Sequence, residues 1–155
     1  MIVYFDTSAL VKRYLREDDS DKVIALLNEA DHIFGSIVLT QVEMAATFQR
    51  AVRMDAASPK LAAEIWQDFL DHWQSFTRLR VFAGTIERAS ENAWKYDLRG
   101  YDSLHLAAAL LWQETLGIQI TLATFDRELW LAGQKAGMSS WPAELVPQQY
   151  NLNEP

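Results

Sequence analysis

The first eight residues, MIVYFDTS from Met1 to Ser8, decide the predicted fold. Residues 2–5 are apolar without polar alternation, which predicts a strand buried on both faces, as in a parallel sheet covered by helices. This strand ends abruptly at Asp6, and two hydroxyl residues follow. In open α/β sheets, ligands bind beyond the carboxyl ends of the strands. The sequence therefore predicts an α/β fold with Asp6 at its functional edge.

Length and composition predict a single domain. The chain has 155 residues, of which 50% are hydrophobic, and six of them are tryptophans, so a sizeable core can form. It has no cysteine, so a metal must be held by oxygen atoms or by one of three histidines, and a hard cation is expected. The segment 139–155 is polar and contains proline, which predicts an irregular surface tail.

Charge and hydropathy narrow the possible partners. The net charge of −7 argues against a broad basic surface for nucleic acid. It does not exclude a nucleic-acid enzyme, because a pocket of carboxylates is negative until a cation binds and inverts the local field. The sequence has no run approaching the roughly 18 apolar residues of a membrane span, and no basic region precedes its first apolar run. We therefore expect a soluble cytoplasmic protein without membrane association.

Three further acids stand at places comparable to that of Asp6. Predicted strands occupy residues 2–5, 32–36, 79–82 and 119–124. Glu43 comes shortly after the second strand, and Asp126 follows the fourth. Asp102 opens an almost wholly apolar helix, where a buried charge needs an opposite charge or a metal. Because parallel strands end at one edge of a sheet, the sequence predicts that all four acids meet there.

Each of these acids, taken alone, also has a structural explanation. Thr40 and Glu43 fit a capping box, in which the glutamate reaches back to the amide of the capping residue. Asp102 and Asp126 fit plain N-caps. Four unneutralised carboxylates at one edge would nevertheless repel one another. Mg²⁺ removes this conflict, because it binds a few carboxylates together with waters and phosphate oxygens and assists in-line phosphoryl displacement.

Neighbouring side chains lead to further expectations. His105 lies one turn after Asp102 and is interpreted as its partner on the helix surface rather than as a metal ligand. Arg99 has two open interpretations, contact with a phosphate or an ion pair with Asp97. The aromatic residues of the helix predicted at 58–76 are interpreted as packing, with any exposed members available for an interface.

In this order and spacing, the residues resemble the PIN-domain ribonucleases. The matching segments are Asp6-Thr7-Ser8 after the first strand, Val42 to Ala45 (VEMA), Arg99 to Ala109 (RGYDSLHLAAA), and Ala123 to Asp126 (ATFD). The resemblance extends from Met1 to about Gly137, and the length is similar to that of VapC-type toxins of toxin-antitoxin pairs. It implies one PIN domain over residues 1–155, with a three-layer α/β/α fold around a mostly parallel sheet of four to five strands.

The resemblance also implies roles for individual residues. Three aspartates would hold one or two Mg²⁺ or Mn²⁺ ions, namely Asp6, Asp102 and Asp126. Glu43 would complete the acidic cluster, either as a ligand through water or as a proton acceptor. Thr7, Ser8 and Thr124 would orient the acids, because hydrogen bonds to metal ligands fix their rotamers. Arg99, close to Asp102, is a further supporting residue. The implied reaction is hydrolysis of single-stranded or loop RNA by metal-activated water, and the implied partners are a small antitoxin and a second copy of the chain.

Two alternatives of other classes are kept. A phosphatase of the haloacid dehalogenase type also begins with a hydrophobic strand ending in aspartate, but its usual second aspartate, two residues on, is Ser8 here. A non-catalytic α/β binding module would explain the four acids as helix caps. In that case, replacing Asp6 by Asn would leave partner binding intact.

Overall fold

A computed structural model describes residues 1–145 of the chain, which form five strands and seven α-helices. The strands are β1 (Ile2–Phe5), β2 (Ile33–Ile37), β3 (Thr77–Leu79), β4 (Thr121–Ala123) and β5 (Ser139–Trp141). The helices are α1 (Thr7–Leu10), α2 (Ser20–Leu27), α3 (Thr40–Arg53), α4 (Pro59–Trp73), α5 (Ala83–Tyr96), α6 (Gly100–Leu116) and α7 (Arg127–Lys135). A short 3₁₀ helix at Val11–Arg13 extends α1. Within these 145 residues, no helix is long and apolar enough to cross a membrane.

All five strands are parallel and lie in the order β3-β2-β1-β4-β5, so β1 is the central strand. From β1 the chain adds β2 and β3 on one side and later β4 and β5 on the other. The strand order therefore reverses beside β1, and ligands bind at such a switch point, beyond the carboxyl ends of the strands. The predicted parallel α/β sheet is confirmed, with five strands.

Helices cover both faces of the sheet, which confirms the three-layer α/β/α architecture. Val3 and Phe5 of β1 point to one core, which is completed by residues of α1 to α4. Tyr4, between them, points to the opposite core with residues of α6 and α7. The absence of polar alternation in β1 therefore reflects its burial on both faces.

The aromatic side chains of α4 are packing residues. Phe69 and Trp73 are almost fully buried and belong to the first core, and Trp66 stacks on Phe69 with ring centroids 5.3 Å apart. Of these three aromatic side chains, only Trp66 is exposed enough to contact a partner, and it is half-buried. The predicted start of this helix is correct, because Ser58 Oγ accepts a hydrogen bond from Leu61 N at 3.1 Å.

The second and fourth strands differ from their predicted bounds by one or two residues, and α4 ends three residues earlier than predicted. Two larger differences concern the third strand and the tail. The third strand occupies Thr77–Leu79 rather than residues 79–82. The predicted irregular tail begins with a strand, because residues 139–141 pair in parallel with β4. This short edge strand is specified by backbone hydrogen bonds to β4, and its side chains carry little pattern of their own. Residues 146–155 of the predicted tail lie outside the described residues.

A close approach at Gly35 fixes the distance between α6 and the sheet. A Cβ added at Gly35 would lie 2.6 Å from the ring of Trp112 and 3.0 Å from the Thr77 carbonyl oxygen. The ring therefore lies directly over the backbone of β2, where only glycine leaves room. Because α6 also carries Asp102 and His105, this contact positions part of the sheet edge described below.

We expect Gly35→Ala to lower the free energy of unfolding by about 1–3 kcal/mol, because overpacking displaces the ring or the backbone. Gly100→Ala is the matched control, since a Cβ there meets no heavy atom of residues 1–145 within 4 Å. It should leave stability unchanged or raise it by up to about 1 kcal/mol. Urea unfolding measures both variants, and equal midpoints for the two would contradict this interpretation of the contact.

Candidate active site

Asp6 ends the central strand, and only 4% of its surface is exposed. Its Oδ2 accepts hydrogen bonds from Ser8 N at 3.2 Å, Ser8 Oγ at 2.5 Å and Thr124 Oγ1 at 2.9 Å. The bond from Ser8 N also caps α1. A buried carboxylate requires such compensation. These bonds hold the carboxylate in one orientation, and its other oxygen, Oδ1, lies 3.5 Å from His105 Nε2.

Two hydroxyl groups join the end of β1 to the end of β4. Ser8 Oγ accepts from Phe125 N at 2.9 Å and from Asp126 N at 3.2 Å. Thr124 Oγ1 also accepts from Asp126 N, at 3.0 Å. The same two hydroxyls contact Asp6, so the loop that carries Asp126 is fixed relative to Asp6.

Glu43 is directed toward the carboxyl edge of the sheet rather than toward its own helix start. The predicted capping box is wrong, because α3 has Leu39 as N-cap with no side-chain cap, and Thr40 Oγ1 lies 2.7 Å from Ser36 Oγ instead. Glu43 Oε2 accepts hydrogen bonds from Thr7 Oγ1 and from His105 Nε2, both at 2.8 Å. The Thr40 hydroxyl is therefore paired with Ser36, and the Glu43 carboxylate binds Thr7 and His105 instead of the start of its own helix.

The expected position of His105 on the helix surface is also wrong. His105 is 1% exposed, and its Nδ1 lies 2.9 Å from the hydroxyl oxygen of Tyr4. Asp102 is not its hydrogen-bond partner; Glu43 is. Since α6 is apolar on nearly every side, its periodicity does not reveal which residues face the sheet.

The environment of His105 favours its charged form. Burial acts to lower the pKa of His105, but the charges of Asp6, Glu43 and Asp102 and the hydrogen bond to Glu43 outweigh burial and raise it. For Glu43, burial acts to raise the pKa, while the hydrogen bonds from His105 and Thr7 and the His105 charge lower it below its usual value. The two residues therefore form an ion pair beside Asp6.

Asp102 and Asp126 are bridged by Arg99. Arg99 Nε donates to Asp102 Oδ2 at 2.8 Å, and Arg99 Nη2 donates to Asp126 Oδ2 at 2.7 Å. Neither interpretation of Arg99 included these partners. The pair with Asp102 is local, three residues along the chain, whereas the bond to Asp126 joins two helix starts and depends on tertiary structure. Asp102 is not the N-cap of α6, a place held by Arg99 itself. Asp126 does cap α7, through a bond from Leu129 N to its Oδ1 at 2.9 Å.

Negative charge at this edge is only partly compensated. Burial raises the pKa of Asp102, and the charges of Asp126 and Asp6 add to this effect against the hydrogen bond and charge of Arg99. One oxygen each of Asp102, Asp126 and Glu128 lie within 4.8 Å of one another. Glu128 was not predicted, although its place two residues after Asp126, in the first turn of α7, is a usable signal.

The donor set fits a hard divalent cation. Every candidate ligand is a carboxylate oxygen, which Mg²⁺ and Mn²⁺ prefer. Asp102 and Asp126 are close enough to share one ion with Glu128, whereas Asp6 is outside that tight group and connects to it through Ser8 and Thr124. The raised pKa of Asp102 is consistent with this fit, because a cation would relieve its repulsion.

We expect NMR titration of the metal-free protein to give a pKa for His105 above the usual value of about 6.5. The folded-state increase means that the charged pair stabilises the fold below about pH 6.5, and this contribution is lost as the pH rises through the folded pKa. Glu43→Gln should lower the His105 pKa, while Glu29→Gln, on the exposed surface, should not. A His105 pKa that is unchanged in Glu43→Gln would contradict the ion pair.

Comparison with known proteins identifies the family of this chain. The sequence matches the PIN domain over residues 3–132. It is 31% identical over 146 residues to Ribonuclease VapC45 of Mycobacterium tuberculosis strain CDC 1551 / Oshkosh, and equally to Ribonuclease VapC49 of strain ATCC 25618 / H37Rv. Each alignment covers 94% of this chain and 99% of the relative.

Solved structures share the fold at low sequence identity. VapBC2 from Rickettsia felis, bound to a promoter DNA fragment, superposes with a TM-score of 0.61 at 13% identity, over 90% of this chain and 97% of that chain. FitAcB from Neisseria gonorrhoeae gives a TM-score of 0.58 at 14% identity, over 90% and 96%. Together with the sequence matches, the shared fold leads to one assignment: the chain belongs to the PIN-domain family and is of the VapC type.

Proposed function

We propose that this protein is a metal-dependent endoribonuclease that acts as the toxin of a toxin-antitoxin pair. The observation that carries the proposal is the buried carboxylate of Asp6, held in one orientation by Ser8 and Thr124 at the switch point of a parallel sheet. The two relatives that align with 94% of this chain are both named ribonucleases. A carboxylate fixed this firmly beside further acids suits the binding of a cation and a phosphate.

In this proposal the acids divide into two roles. Asp6, Asp102 and Asp126 hold Mg²⁺ or Mn²⁺, and Glu128 is close enough to the last two to contribute. When bound, the cation supplies positive charge beside the scissile phosphate and makes water more acidic. Glu43 completes the cluster at the edge of the site, as a ligand through water or as a proton acceptor, while His105 and Thr7 hold its Oε2 in place.

The binding-module alternative explains only part of the acidic cluster. Asp6 and Asp126 do cap helices, as that alternative requires. Glu43 and Asp102 do not, since the N-caps of α3 and α6 are Leu39 and Arg99. Helix capping therefore accounts for two of the four acids, whereas the nuclease proposal accounts for all four. The phosphatase alternative is set aside, because the chain belongs to another family.

An antitoxin is the proposed protein partner. The neighbours from Rickettsia felis and Klebsiella pneumoniae are described as VapBC2 and as a toxin-antitoxin complex. A groove between α3 and α4, of about 440 Å³, offers apolar surface for such a partner and includes Phe48, Val52 and Trp66. By its resemblance to this class of toxin, we also propose that the chain forms a homodimer.

Asp6→Asn should abolish cleavage of single-stranded RNA while the protein stays folded, because asparagine keeps the shape but loses the charge that holds the cation. The assay is cleavage of a labelled RNA with Mn²⁺, with EDTA as a metal-free comparison and circular dichroism as a check of folding. Asp31→Asn, on the exposed surface, is the matched control and should cleave normally. Cleavage by folded Asp6→Asn at the parent rate would refute the proposal.

Ser8→Ala should slow cleavage by about 10- to 100-fold, the usual cost of losing a hydrogen bond that orients a metal ligand. The hydroxyl contacts Asp6 and the amides of Phe125 and Asp126, so its loss also weakens Mn²⁺ binding measured by calorimetry. Ser90→Ala, which removes an exposed hydroxyl on α5, should alter neither quantity. Equal Mn²⁺ affinity and equal rate in Ser8→Ala and the parent would remove Ser8 from the site.

A further inference from the structure

Arg99 occupies the oxygens that a cation would need. Asp126 has two carboxylate oxygens, and Leu129 N binds Oδ1 to cap α7. The remaining oxygen, Oδ2, accepts from Arg99 Nη2 at 2.7 Å. The same guanidinium binds Asp102 Oδ2 at 2.8 Å. A cation shared by these two aspartates would lie close to the guanidinium, so the two positive charges would compete for the same carboxylates.

The ion pairs of Arg99 with these carboxylates are weak enough to be broken by a cation. The Arg99 side chain is 70% exposed, while those of Asp102 and Asp126 are 14% and 23% exposed. An ion pair at the solvent is weak, because water and salt screen it and a long side chain must be ordered. A divalent cation carries twice the charge in a smaller volume, so it is the stronger counter-charge for half-buried acids.

We propose that Arg99 is an internal competitor of the cation, which neutralises Asp102 and Asp126 in the metal-free protein and is displaced when the cation binds. The displaced guanidinium then contacts a phosphate of the RNA. This inference rests on the proposed metal-dependent nuclease. A planar guanidinium binds carboxylates and phosphates with the same fork of donors. Arg99 is therefore paired with carboxylates in the metal-free protein and with a phosphate in the complex with cation and RNA.

A different role for Arg99 makes the opposite prediction. If Arg99 served to hold Asp102 and Asp126 in the geometry that binds the cation, its removal would weaken cation binding. If it competes, its removal strengthens binding, because the acids lose their internal counter-charge. The sign of the change in affinity therefore separates the two roles.

The test is calorimetric titration of the metal-free protein with Mn²⁺ alone. In Arg99→Gln, the dissociation constant for Mn²⁺ should fall by about threefold to tenfold, the range expected from losing weak exposed ion pairs. Arg99→Lys should lie between this variant and the parent, because a single ammonium group cannot bridge both carboxylates as the fork does. Arg16→Gln is the matched control, since Arg16 forms an exposed ion pair with Asp21 instead. It should bind Mn²⁺ as the parent does.

A second measurement tests the phosphate contact. Binding of fluorescein-labelled single-stranded RNA is followed by anisotropy with Mn²⁺ present, in a Glu43→Gln background to suppress cleavage. Adding Arg99→Gln should weaken RNA binding and reduce the slope of log affinity against log salt by about 0.7, the value for one lost phosphate contact on a single strand. An unchanged slope would overturn the phosphate contact.

The calorimetric outcomes are distinct. Tighter Mn²⁺ binding in Arg99→Gln than in the parent, including binding seen only in the variant, supports competition. Equal or weaker binding in a folded Arg99→Gln protein overturns it while leaving the metal site intact. Absence of binding in the parent and in both Arg99 variants contradicts the metal site and this inference together.

Discussion

The buried charge of Asp6 is the constraint on which the rest of the site depends. A carboxylate with 4% exposure is tolerated only where donors surround it. Ser8 and Thr124 supply those donors, and their hydroxyls also bind the amide of Asp126. The need to satisfy one buried group thus joins β1 to the loop after β4. The edge of the sheet is fixed by the same bonds that satisfy the buried carboxylate of Asp6.

The remaining acids are paired with two basic side chains of different character. His105 is enclosed between Glu43, Asp6 and Tyr4 and has no access to solvent, so it is a permanent part of the site. Arg99 is largely exposed and pairs with Asp102 and Asp126 from outside. A buried counter-charge maintains geometry, whereas an exposed one can be exchanged. In the proposed metal site, this difference would keep the cluster of carboxylates stable without a cation and would still let a cation bind.

The architecture could be predicted from the sequence because a parallel strand buried on both faces is apolar at every position. Such a run, as in β1, is recognisable without knowledge of the tertiary structure. Sequence reasoning also brought four acids to one edge, since the topology of a parallel sheet aligns the strand ends. It could not reach the partners of His105 or the bond from Arg99 to Asp126, because these contacts join residues far apart in the chain. The pairs Arg99–Asp102 and Ser36–Thr40 are local, but the sequence offered other partners for these side chains. The strand β5 was missed because backbone pairing with β4, rather than side-chain pattern, defines it.

The most direct test of this account is a crystal structure of the protein soaked in Mn²⁺, recorded at a wavelength where manganese scatters anomalously. We predict an anomalous peak at the carboxylate oxygens of Asp6, Asp102 and Asp126, with the guanidinium of Arg99 withdrawn from Asp126. A fully soaked crystal with no peak at these acids, and with Arg99 still bridging them, would contradict the assignment of this edge as a metal site.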